Sequence, residues 1–142
     1  MPLFPPHLSI LQRGLEAAAV RQAALAHNLA NVNTPGYKAL RVRFEEHLAA
    51  ALEMSGTGEA PRLPLRVTHP RHLRGRGAEA ALEVRPQVVR DLSRSDRADG
   101  NNVDVEAEMA QMAANEIWYG ALLRQLNDEL ARLRLAVTEG RR

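Results

Sequence analysis

The segment Leu29-Ala30-Asn31-Val32-Asn33-Thr34-Pro35-Gly36-Tyr37-Lys38 constrains the fold of this chain more than any other. It stops a long apolar heptad with a turn. Pro35 presets φ at the second turn position, and Gly36 supplies the positive φ that a type II turn requires next. Thr34 precedes a proline and is pushed out of the helical region. A helix arriving from the N-terminal side therefore ends near Asn31 to Asn33.

That arriving helix is expected from about His7 to Val32. Leu8, Leu11, Leu15, Ala18, Gln22, Leu25, Leu29 and Val32 alternate spacings of three and four, a heptad seam rather than the wider stripe of a helix on a globular core. A longer helix is expected from about Asp104 to Val137. Its seam runs Val105, Met109, Met112, Glu116, Tyr119, Leu123, Leu126, Leu130, Leu133 and Val137. Asp104, Glu106 and Glu108 at its start and Arg132 and Arg134 near its end suit the helix dipole. Asp99-Gly100-Asn101-Asn102 is a turn signal just upstream, with Asn102 or Asp104 able to cap. Gln22 and Glu116 are polar seam positions of the kind that set register, or else simply solvated edges.

Between the helices the text changes. Phe44, Leu48, Ala51 and Leu52 suit a short helix from about Arg43 to Met54, which Ser55-Gly56-Thr57-Gly58 should break. Prolines at 61, 64, 70 and 86 exclude long helices, and Val84 to Leu92 alternates poorly for a strand. Residues 55 to 100 read as a flexible or extended insert with room for a small hairpin. The fold class is thus mainly α: long N- and C-terminal helices in a coiled-coil-like hairpin, with a flexible or partly β middle. The divisions are residues 1–37, the first helix and turn; 38–103, the short helix and insert; and 104–142, the last helix, packing with the first as one helical domain. Aromatics are only 4% of a chain that is 45% hydrophobic, which favours helix-on-helix seams over a dense core.

Chemistry is harder to find. There is no cysteine, which removes disulfides, thiolate catalysis and Cys-based zinc sites together. His69 and His72 flank Pro70 with no third ligand nearby, and the acidic residues from Asp96 to Asp104 miss the EF-hand positions. No phosphate loop, nucleophile elbow or catalytic triad is apparent, so no enzyme and no cofactor are expected. A net charge of +2 makes no case for nucleic acid, and the Arg-rich middle lacks interleaved aromatics. No N-terminal signal is visible, and no apolar run approaches the ~20 residues of a membrane span.

Leu25 to Lys38 resembles the signature shared by bacterial flagellar rod and hook proteins, the axial superfamily. Phe44-Glu45-Glu46, Thr68 to Leu73 and Asp99 to Met109 narrow the resemblance to proximal rod proteins of the basal body, the FlgB type. Asn115, Tyr119, Leu122 and Leu126 follow in the expected places, while Gly120 inside the helix is unusual for it. The resemblance implies a structural subunit exported by the flagellar type III system without a cleaved signal. In the periplasmic part of the basal body it would polymerise helically at the proximal end of the rod. Its partners would be copies of itself, other rod proteins, and the basal-body adaptor and export-gate proteins. The assembly seam would comprise Leu8, Leu11, Leu15, Leu25 and Leu29 with Met109, Met112, Tyr119, Leu123, Leu126, Leu130 and Leu133. The signature turn would be Asn31, Thr34, Pro35, Gly36 and Tyr37. Competing readings are a neighbouring axial rod subunit, a coiled-coil adaptor and a weak nucleic-acid-binding helical protein.

Overall fold

The structure, a computed structural model, describes residues 6–57, 83–95 and 97–138, with the side chains of residues 6 and 53–57 excepted. Helix α1 spans Pro6–Ala30, strand β1 Leu40–Arg43, helix α2 Glu45–Thr57, strand β2 Gln87–Arg90 and helix α3 Val105–Val137. The chain is mainly helical, with long helices at both ends and a short two-stranded sheet in the middle.

Helices α1 and α3 pack antiparallel, and the pairs that join them recur every seven residues along α3. Asn28 meets Glu108, Ala18 and Gln22 meet Asn115, Gly14 meets Leu122, and His7 meets Glu129. A heptad step keeps one column of each helix facing its partner over the whole length. The column is unusual in content: amides, carboxylates, a glycine and one leucine. Around it sit the small buried core residues Leu8, Ala17, Ala18, Ala24 and Leu25.

Gly14 is required by a close approach. A Cβ there would lie 3.3 Å from the Leu122 Cδ1 atom, tighter than ordinary contact.

Strand β1 pairs antiparallel with β2, in the register Leu40 with Arg90 through Arg43 with Gln87. The partly β middle is thus built by pairing with a strand that precedes the insert; residues 58–82, where a hairpin within the insert would fall, lie outside the described residues. The strand near Val84 to Leu92 exists, but its partner lies across the chain, immediately after the turn. The Leu-Arg-Val-Arg text of β1 is too short to announce a strand by itself. Helix α2 also runs through Ser55 and Gly56 to Thr57, past the expected break at Ser55. Prolines 61, 64 and 70 and the histidines at 69 and 72 lie outside the described residues.

Candidate functional site

The two motifs singled out in the sequence meet at one end of the hairpin. Tyr37 N–H closes on the Thr34 carbonyl at 3.3 Å, and Gly36 has φ +70°. Helix α1 has just ended there, leaving its last carbonyls without intrahelical donors. Asn101 reaches the turn just beyond it from the far side of the sequence: its Nδ2 donates to the carbonyls of Asn31, Val32 and Thr34 at 2.9–3.0 Å. Arg97 adds a bond from Nη1 to the Val32 carbonyl at 3.1 Å. Asn101 is fully buried. Its own Oδ1 accepts from Val103 N–H, and Ser95 donates its hydroxyl to the Asn101 carbonyl. Gly36 N–H bonds the Asp99 carbonyl at 2.8 Å.

Asn28 acts from α1 as a substitute strand. Its Oδ1 accepts from Leu40 N–H at 2.7 Å while its Nδ2 donates to the Leu40 carbonyl at 2.9 Å. The same Nδ2 donates to Glu108 Oε2 at 2.9 Å, and the Tyr37 hydroxyl donates to Asn28 Oδ1 at 3.1 Å. Because Leu40 N–H must find oxygen, this network fixes which way the Asn28 amide points. Glu108 has no exposed surface and is held by Arg41 Nη1 at 2.6 Å, with Asp91 3.7 Å from the Arg41 Nε. A buried carboxylate survives only when paired and hydrogen-bonded, and Arg41 and Asn28 meet both needs. Asn102 completes the lock: it accepts from Ala39 N–H and donates to the Asp91 carbonyl and the Ser93 hydroxyl. The N-cap of α3 is Asp104, whose Oδ1 accepts from Glu106 N–H at 3.0 Å.

Three titrations follow from these bonds. Burial raises the Tyr37 hydroxyl, partly offset by Arg90. Ser93, donating from backbone and hydroxyl, lowers Asp91. The Asn101 N–H, helped by Arg97, lowers Asp99.

The expected seam residues divide. Leu8 and Leu25 are buried, and Leu11, Leu15, Leu29, Met112 and Leu126 are half-buried. Met109, Tyr119, Leu123, Leu130 and Leu133 are exposed, as are Val105 and Val137. The face that α3 turns to α1 is the column Glu108, Asn115, Leu122 and Glu129, one position away from Met109, Glu116, Leu123 and Leu130. Of the turn residues, Asn31 and Tyr37 are half-buried, whereas Thr34, Pro35 and Gly36 are exposed. Sequence reasoning named Glu108 for the helix dipole and Asn28 and Asn115 within the resemblance, but gave none of them, nor Arg41, a place in the packing. The signal available was a polar residue repeated at seven-residue spacing beside an apolar column. Among the described residues no group of three or more His, Asp or Glu is placed to hold a metal ion, and no helix is long and apolar enough to cross a membrane.

Residues 8–38 match the family model of flagella basal body rod proteins. The flagellar basal body rod protein FlgB of Bacillus subtilis is 31% identical over 141 residues, covering 99% of this chain and 100% of its own length. The FlgB proteins of Borrelia hermsii and Escherichia coli K12 are 32% and 29% identical, over 84% and 87% of this chain and 86% of their own. The matched N-terminal segment contains α1 from Leu8 onward and the turn, and the relatives extend the likeness through the partner motif that grips it. The chain therefore belongs to the FlgB family of flagellar basal body rod proteins.

Proposed function

We propose that this chain is a structural subunit of the flagellar basal body rod that polymerises helically at the proximal end. There it would join the membrane-embedded base and export gate to the rest of the rod. The observation that carries the reading is the exposed apolar surface of α3. Met109, Tyr119, Leu123, Leu130 and Leu133 recur at heptad spacing, are 36–56% exposed, and lie beside the face that packs on α1. Apolar area left open in this pattern is buried by neighbouring helices in an assembly. The assembly seam proposed from sequence is thereby split: Leu8, Leu25 and Leu29 hold the hairpin, while the exposed α3 residues face other subunits.

Family membership supports a structural rather than catalytic role and disfavours the neighbouring-subunit, adaptor and nucleic-acid readings. Export by the type III system without a cleaved signal, and contact with adaptor and export-gate proteins, belong to the same proposal. The turn and its asparagine lock would fix the angle at which β1 and β2 leave the hairpin. The test is deletion of the gene with complementation. Loss of rods, hooks and filaments by electron microscopy, restored by the native chain but not by Leu123→Asp, is the expected result. Intact flagella in the deletion strain would overturn the reading.

A further inference from the structure

We propose that the exposed tail of α3 in one copy seats in an alanine-lined groove of a second copy, head to tail. The idea that copies stack rests on the rod reading above; the contact itself stands on the groove, the tail and their charges. The groove lies between the long helices, with Ala19, Ala23 and Ala26 of α1 facing Glu116 and Tyr119 of α3, and holds about 600 Å³. Three alanines on one helix face present nothing beyond Cβ, so the backbone of another helix can approach closely. Asn115 also lines this groove. It is 5% exposed, donates from its amide to Ala18 and Gln22, and keeps a buried Oδ1 with no partner among the described residues.

The tail is a segment of helix without cover among the described residues. Glu129 meets His7 at 3.7 Å, near the start of α1 at Pro6. Helix α3 continues to Val137, and residues 131–138 are all exposed, Leu135 at 63% and Val137 at 83%. These residues extend about 12 Å at the standard helical rise, roughly the length of a shallow seat.

Charge selects the occupant. Glu116 on the groove wall forms no ion pair among the described residues, and neither does the Arg134 side chain on the tail. Seating the tail places a guanidinium beside that carboxylate, in a groove whose lining includes Asn115, an amide with a buried oxygen unpartnered among the described residues. Residues 116 and 134 are 18 positions apart, five turns of helix, so each added copy advances about 27 Å along α3. The groove and the tail are different surfaces of one molecule. The contact is heterologous, and repeating it gives an open stack.

The chain has no cysteine, so introduced thiols report alone. In the purified full-length protein, Ala23→Cys and Ala131→Cys combined in one chain should give a ladder of disulfide-linked dimers, trimers and longer species on mild oxidation. The two positions are about 27 Å apart within one hairpin, because residue 23 lies level with about residue 113, so they cannot close internally. Each single cysteine variant should stay monomeric. In the double-cysteine background, Glu116→Arg or Arg134→Glu should cut the ladder at least tenfold, and the two together should restore it. Dimers from one cysteine alone, or no ladder from both, would overturn a head-to-tail contact between copies. A ladder unaffected by either charge reversal would overturn the assigned groove. If the deletion strain loses its flagella and the native chain restores them while no ladder forms, the contact is wrong and the rod role stands.

Discussion

At the turn end of the hairpin the side-chain amides of Asn28, Asn101 and Asn102 are each bonded through both oxygen and nitrogen, whereas beyond Glu129 the last residues of α3 lie open. The same helix runs through both regions. One region is specified internally by polar bonds across 60 to 80 residues of sequence; the other is specified by nothing within the described chain. The difference teaches where a subunit keeps its shape and where it leaves shape to its neighbours. Buried polar groups must be satisfied inside the molecule, because removing a partner leaves an unpaired group in low dielectric. Exposed apolar surface can wait for a neighbouring protein.

The contrast can be broken most severely at Arg41. Arg41→Met leaves the Glu108 carboxylate buried without its cation, and a loss of about 3 kcal/mol in urea unfolding is expected. A loss below about 1 kcal/mol would mean that Asn28 alone can hold that charge. Next comes Asn101→Ala, which removes one of the donors to each of the carbonyls of Asn31, Val32 and Thr34 in the turn after α1. It should cost about 2 kcal/mol and speed amide exchange at Thr34 and Tyr37. Gly36→Val forces a β-branched residue to φ +70° and should cost about 1–2 kcal/mol, even though no atom crowds the site.

Acid should erode the turn end alone. Asp99 and Asp91 sit below their ordinary value of 3.8, so each contributes stability that is present above about pH 4. That contribution disappears as pH falls through the lowered folded values. Hydrogen exchange should therefore show Gly36 and Ser93 losing protection in acid before the middle of α3 does. The smallest effect sharpens the comparison from the other side. Leu135→Ala, on the exposed tail, should move monomer stability by less than about 0.5 kcal/mol. A larger loss would show the tail to be packed within its own chain.

The long helices, the turn and a cap at Asn102 or Asp104 were legible, because each has a local signature in period or turn chemistry; the structure places the cap at Asp104. What was hidden is the pairing. The apolar alternation from Val105 to Val137 points to the column of Met109, Glu116, Leu123 and Leu130. The structure turns Glu108, Asn115, Leu122 and Glu129 to α1 instead. A rule that seeks apolar residues inside cannot choose a column whose members are mostly polar. The choice is made by Asn28 and Gln22 on the other helix, some 80 to 93 residues away. Strand β1 was hidden for a similar reason: its four residues gain their conformation from Asn28 and from β2.

Gly14 carries a consequence for scale. With only a hydrogen where Leu122 presses against α1, it sets the thickness of the hairpin at that level. Where identical hairpins are laid side by side around a common axis, thickness becomes circumference. A methyl group at residue 14 would require Leu122 to give by a few tenths of an ångström, through its side chain or through the spacing of the helices. Where the helices take up that increment, each subunit of an assembly would pass it on in the same direction, so the spacing of such an assembly would be gauged in part by one missing side chain.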